Sequence, residues 1–189
     1  MLEAAPTYVN FTGVNGLELS ISLPRTQLFD YTLMFWMRST QSYAELSTDP
    51  NIKDTKAYLF KLVNGVGCYI TRTETVENQK IVTGGPWLRC ESGDTNGTGD
   101  IEVDLAELPD IQAWMHLTFS AIYNPASASS SVKSQSYLRI DISSFHKTWQ
   151  GGYRPIKGNK VYYGCAGLLS TDLGFPGNYR QFWITVGYI

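Results

Sequence analysis

The segment LELSISL at residues 17–23 sets Leu17, Leu19, Ile21 and Leu23 at every second position, with Glu18, Ser20 and Ser22 between them. A two-residue period sends alternate side chains to opposite faces, so the segment reads as a strand with one face buried. The same short beat recurs along the chain. YTLMFWMRS (31–39) is apolar almost throughout, as expected of a central strand. KAYLFKLV (56–63) and CYITRT (68–73) flank NGVG, whose Asn and Gly tolerate the positive φ of a hairpin turn. GDIEVDLAEL, WMHLTFSAIYN (114–124), SYLRIDIS (136–143), KVYYGCAG (160–167) and the closing RQFWITVGYI complete the series. No stretch of helical length carries a 3.6-residue stripe. IKDTKAYLFKLV comes nearest, and its Tyr, Phe and Val favour a strand. Strands spaced roughly ten residues apart predict an all-β chain, a two-sheet antiparallel β-sandwich or jelly roll.

The 189 residues fit one domain, 1–189, large enough to bury a core without staples. PASASSSVKSQS (125–136) holds too few large apolar groups to pack, and strand alternation resumes directly after it, so it reads as a loop within one domain. Charged residues make up 17% of the chain and the net charge is -2, which excludes the concentrated basic field a nucleic-acid surface needs. The first residues, MLEAAPTYVN, show no basic start and no apolar run of a signal peptide, and no window has the length of a membrane span. Two triplets, Asn10-Phe11-Thr12 and Asn96-Gly97-Thr98, are glycan acceptors in a secreted chain and lean towards an extracellular or cell-surface setting. Three cysteines, Cys68, Cys90 and Cys165, leave three options open: one bridge and a free thiol, an intermolecular bridge, or none. No two have metal-site spacing, and only His116 and His146 add imidazole, so no metal site or other cofactor is expected from them.

The order of landmarks resembles the concanavalin A-like lectin/glucanase superfamily, in its laminin-G-like or pentraxin-like branch. FTGVNGLELSISLP followed by FDYTLMFWMRST looks like that family's first strands, WMHLTFSAIYN like its tryptophan-led strand, and GFPGNYRQFWITVGYI like its closing strand, with Phe175, Gly177 and Trp183 in the matching places. The resemblance implies a concanavalin A-like sandwich used for recognition of a protein partner or a glycan, commonly as one module of a larger or multi-subunit assembly. Fold alone does not fix function, because the same scaffold carries glycosidases and structural spacers.

One segment raises the enzymatic alternative. IEVDLAE (101–107) spaces Glu102, Asp104 and Glu107 as E-x-D-x-x-E. Retaining glycoside hydrolysis needs two carboxyls about 5 Å apart. Glu102 and Asp104 share a face by strand parity, and Glu107 joins them only across a bulge. By resemblance to the laminarinase and lichenase branch, Glu102 would be nucleophile, Asp104 its charge partner and Glu107 the acid/base of a small endo-glycanase. The context favours an exposed strand edge instead: NGTGDI precedes the motif, Pro109 follows it, and the aromatic subsites of that branch are missing around it.

Two further candidates complete the reading. Asp94, Asn96 and Asp100 lie among glycines, as calcium ligands do, but position twelve from Asp94 is Leu105 and not the glutamate of an EF-hand loop. Trp149, Tyr153 and Arg154, in the Gly-rich KTWQGGYRP, are expected to be exposed and to bind the partner or glycan. Trp36, Trp114, Phe119 and Trp183 lie in apolar alternating strands and are expected in the core.

Overall fold

A computed structural model describes residues 8–22, 30–63, 66–93, 98–124, 134–156, 158–165, 167 and 173–186. The described strands are β1 (Val9–Phe11), β2 (Leu17–Ser20), β3 (Tyr31–Ser39), β4 (Ala57–Leu62), β5 (Gly67–Glu77), β6 (Lys80–Cys90), β7 (Ile101–Asp104), β8 (Met115–Ile122), β9 (Gln135–Ile142), β10 (Phe145–Gly151), β11 (Lys160–Tyr163) and β12 (Gly177–Val186). They form two six-stranded sheets. The first runs β1-β12-β3-β8-β9-β10 and the second β2-β11-β4-β5-β6-β7, with every named strand pair antiparallel. The chain is therefore an all-β, two-sheet antiparallel sandwich, as the strand patterning predicts.

Strand parity builds the core. In β3 the residues Tyr31, Leu33, Phe35 and Met37 are all but inaccessible, while Thr32, Met34, Trp36 and Arg38 alternate outward. β8 pairs with β3 in unbroken register and sends Leu117 and Phe119 inward and His116 and Thr118 outward. Between the sheets Phe35 meets Phe60 and Tyr163 edge-on and stacks with Tyr179, at centroid separations of 6.0, 5.3 and 5.9 Å. Such offset and edge-to-face ring pairs add to the free energy of area burial.

Three of the departures from simple alternation shape the surface. A six-residue helix, α1 (Tyr43–Thr48), follows β3, with Ser42 and Glu45 forming a reciprocal capping box. β5 and β6 form a long hairpin turning at Asn78 and Gln79, both at positive φ; β4 pairs with β5 only as far as Ile70, and β7 with β6 only from Trp87, so the tip projects with Val76 and Ile81 exposed. At the base of this hairpin Cys68 and Cys90 lie opposite each other and are joined by a disulfide; Cys165 is a buried free thiol.

The third departure is in β12. Arg180 pairs with Trp36 and Trp183 with Met34, so three steps on β12 match two on β3. The extra residue is a bulge, with Gln181 at φ 54°. It resets parity: Phe182 turns inward against Phe11, Tyr163 and Tyr179, and Trp183 turns out, 62% exposed. Trp183 is thus not a core residue, contrary to the alternation read from the sequence. Trp36 and Trp114 are half-buried, Trp36 on the outer side of β3, and of the four aromatics expected in the core only Phe119 is fully there.

Candidate binding face

The acidic segment leaves the sheet before Glu107, without the strand bulge that would bring Glu107 beside Glu102 and Asp104. β7 pairs with β6 through Trp87–Asp104, Leu88–Val103, Arg89–Glu102 and Cys90–Ile101 with no bulge, and the chain then leaves the sheet in a 3-10 turn, Leu105–Glu107. Leu105 is buried beneath the turn, which fixes where the strand stops. Asp104 caps that turn, its Oδ1 accepting from the Ala106 N–H at 2.9 Å. The Arg89 guanidinium donates through Nε to Glu102 at 2.6 Å, and Lys147 on β10 pairs with Glu107. The three acids therefore serve a strand, a cap and a link between the two sheets.

The expected patch at 149–154 is a packed corner. Trp149 belongs to β10, opposite the buried Leu138, and its ring is half-buried against the core with Lys147 5.0 Å above it. Tyr153 is half-buried with its ring 5.6 Å from Tyr123 and 6.5 Å from Tyr31. The Tyr31 hydroxyl donates to the Arg154 carbonyl at 2.7 Å, and Arg154 Nε donates to the Gly93 carbonyl at 2.9 Å. The glycines after Trp149 do not free it because β10 runs on to Gly151, where Ser92 and the Gly99 carbonyl lie too close for a side chain.

Of the calcium candidates, Asp94 and Asn96 lie outside the described residues, and Asp100 uses Oδ1 to accept the Gly93 N–H at 2.7 Å. Among the described residues no group of three His, Cys, Asp or Glu side chains could hold a metal.

The outer face of the first sheet presents a different arrangement. Register aligns Arg180, Trp36, His116, Asp141 and His146 in one row across β12, β3, β8, β9 and β10. Beside it lie Arg38, which pairs with Asn178, and Trp114, which directly precedes β8. The Arg180 guanidinium sits 4.2 Å from the Trp114 ring centroid and 5.4 Å from that of Trp36. Arg38 sits 5.1 Å from Trp114 and 5.5 Å from Tyr8. Two cations and three rings thus form one interleaved layer, with the Trp36 ring 5.0 Å from the imidazole of His116.

Charge balance divides this face in two. Towards β10, Asp141 accepts from Arg139 and lies 2.7 Å from His146 Nδ1 and 3.8 Å from His116 Nδ1. Burial pushes the Asp141 carboxyl up, but the bonds to His146 and Arg139 outweigh it and hold the group below the usual aspartate range. Towards β12, the ion pairs found among the described residues leave out both Arg38 and Arg180. Arg180 Nε is shielded from water and makes no hydrogen bond among the described residues. The aromatic rings satisfy part of the cations' electrostatics at about 0.5–2 kcal/mol each, and no carboxylate among the described residues neutralises them there.

Nothing in the composition marked this cluster, because its members come from the chain start, β3, the entry to β8 and β12. Parity carried the one available signal: Trp36 and Arg38 are two apart in a strand whose odd-numbered residues are all apolar or small, so both point away from the core.

No known protein-family profile matches the chain, and no curated protein matches it. Among solved structures it is similar to the mouse laminin alpha1 chain, domains LG4-5, with a TM-score of 0.46 and 12% identity. The likeness covers 97% of this chain and 44% of that one, so the chain spans less than half the length of the structure it matches. The match is distant and partial, to a laminin-G-like sandwich fold, and it fixes neither a branch nor a function.

Proposed function

We propose that the chain is a non-enzymatic recognition module, a single sandwich over 1–189, that binds an anionic ligand on the outer face of its first sheet. One observation carries the reading: Arg38 and Arg180 are racked on Tyr8, Trp36 and Trp114 with no carboxylate paired to either among the described residues. Fixing a guanidinium on an aromatic face sets its fork in advance, so less freedom is lost when an anion docks. The buried Cys68–Cys90 disulfide and the exposed Asn10 of the first glycan-acceptor triplet support a secreted or cell-surface module.

The test compares two doubly neutralised variants of equal charge change on a polyanion resin such as dextran sulfate, eluted with salt. Arg38→Gln/Arg180→Gln is expected to elute far earlier than the wild type, and Lys53→Gln/Lys80→Gln, one beside β5 and one at the start of β6, to elute near it. Equal losses from both would show that retention follows net charge and would sink the assignment to this face. Protein from a bacterial host keeps Asn10 of β1, which lies beside Asn178 of β12, free of glycan.

A further inference from the structure

The projecting tip of the β5–β6 hairpin has two backbone edges, and they are finished differently. Beyond Ile70 and before Trp87 no described strand pairs with either of them. The edge of β5 is closed at its base: Lys53 forms a bridge to Arg72, and the Asp54 N–H donates to the Arg72 carbonyl at 2.8 Å. Further out it bears two carboxylates, Glu74 and Glu77. Covering segments and charged side chains are how edge strands avoid pairing with another chain. The edge of β6 has neither at Ile81, Val82 and Thr83, all of which are exposed.

The turn decides which backbone groups this edge offers. Asn78 and Gln79, at φ 50° and 63°, form a two-residue turn that closes Glu77 against Lys80. Hydrogen bonding alternates along an antiparallel ladder, so Lys80 and Val82 bond to β5 while the N–H and C=O of Ile81 and Thr83 point outward. An identical strand laid antiparallel about a two-fold axis at Val82 sets Ile81 against Thr83 of the second copy, and Thr83 against its Ile81. Each such pair exchanges both of its N–H and C=O groups, and Val82 meets Val82 between them.

The length of the free edge agrees with this register. Pairing about Val82 brings Asn78 level with Pro86 of the second copy, one residue short of Trp87, where β7 takes the edge. Moving the axis to Thr83 would carry Gln79 level with Trp87 and into β7. The register also sets Lys80 opposite Gly84, so no two charges are opposed. The same operation on β5 would gather Glu74 and Glu77 of both copies at one seam, and like charges across paired strands are destabilising.

We infer that two copies of the chain associate through the β6 edges of their hairpin tips, which join into one continuous antiparallel ribbon. A second copy is the occupant because the edge is complementary to itself, the condition for a closed two-fold contact. The seam is short against the roughly 1,200 Å² or more that stable interfaces bury, so the dimer is weak, with a dissociation constant on the order of 100 µM. The inference does not depend on the anion-binding reading.

Sedimentation equilibrium of the whole chain from about 5 to 500 µM, a range that brackets a contact of this size, is expected to show a monomer–dimer equilibrium. Val82→Lys places like charges on the axis and should weaken association at least about tenfold. Thr83→Pro removes an outward N–H without touching the bonds to β5 and should do the same. Val76→Lys puts the same charge on β5, away from the seam, and should change association less than about threefold. Circular dichroism and thermal unfolding check that each variant keeps its fold. Mixing Val82→Lys with Val82→Glu should restore the dimer, since the charges then attract across the axis.

A chain that stays monomeric through the whole range would overturn the inference. A dimer that every variant leaves intact would place the contact on another surface and overturn it too. Equal losses from Val76→Lys and Val82→Lys would mark a general apolar contact of the tip instead of edge pairing. If the Lys and Glu variants fail to pair, the axis does not pass Val82 and the register is wrong.

Discussion

The outer faces of the two sheets use the same contact and differ in what balances it. On the second sheet Lys56 sits 4.8 Å from the Tyr69 ring, Lys61 5.0 Å from Tyr58 and Arg89 5.0 Å from Trp87. Each of these cations also has its carboxylate: Glu91 takes both lysines and Glu102 takes Arg89. On the first sheet Arg38 and Arg180 have the rings and no acid among the described residues. A cation over an aromatic ring is therefore no sign of a binding site by itself. Where a carboxylate closes the arrangement the charge is spent on the fold, and where none does among the described residues it is open to the proposed anionic ligand.

The largest expected contrast is between neighbouring rings of β12. Phe182→Ala empties part of the aromatic core and is expected to cost about 2–3 kcal/mol, at the low end for such truncations because the ring is half-buried. Trp183→Ala, next to it, is expected to stay within about 0.5 kcal/mol, since its ring already faces water. Urea unfolding of the two variants decides whether the bulge assigns the faces as described.

The second contrast concerns Glu91, whose side chain is only 12% exposed. Burial pushes its carboxyl up, yet the bonds from Lys56 and Lys61 prevail and hold it below the usual glutamate range. A carboxyl lowered in the folded state contributes stability that is complete above the ordinary glutamate range. That contribution is lost as pH falls through this range and on through the lower folded value. Glu91→Gln should cost about 1–3 kcal/mol at neutral pH, less than a fully buried pair because Lys56 is half exposed. It should also flatten the acid limb of the stability profile. An unchanged limb would mean that Glu91 is not the group that couples this face to pH.

Removing a cation from each face sharpens the comparison further. Lys61→Met leaves Glu91 with Lys56 as its one cationic partner and should cost about 1–2 kcal/mol. Arg180→Met removes a guanidinium with no acidic partner among the described residues, so chemical denaturation should move by less than about 1 kcal/mol in either direction. Equal losses at both positions would mean that Arg180 is structural. The smallest effect belongs to the acidic strand: Glu102→Gln breaks an exposed pair with Arg89 and should change stability by less than about 1 kcal/mol.

The sequence was most legible where strands are regular. The boundaries of YTLMFWMRS coincide with β3, and the alternation of LTF in β8 sorts core from surface correctly. It failed where one residue changes the count. The bulge at Gln181 has no glycine to announce it, and a single uncounted residue reverses every later assignment in the strand. At KTWQGG the glycines suggested a loop, but β10 continues to Gly151, where the close approach of Ser92 and Gly99 requires a residue without a side chain. The E-x-D-x-x-E spacing was legible as letters alone. Its geometry depended on whether the chain bulged or left the sheet, and the buried Leu105 settles that after Asp104. The Arg38–Trp114–Arg180 layer needed the strand order of the sheet, which no local pattern contains.

The disulfide at the foot of the β5–β6 hairpin has a consequence for a protease. The projecting tip at Asn78 and Gln79 offers an accessible cleavage point, and both flanking strands run back to Cys68 and Cys90. A chain cut there stays in one covalent piece, migrates unchanged on a non-reducing gel and separates into two fragments only when a thiol is added. The sandwich can thus be nicked at this exposed tip without parting its two halves.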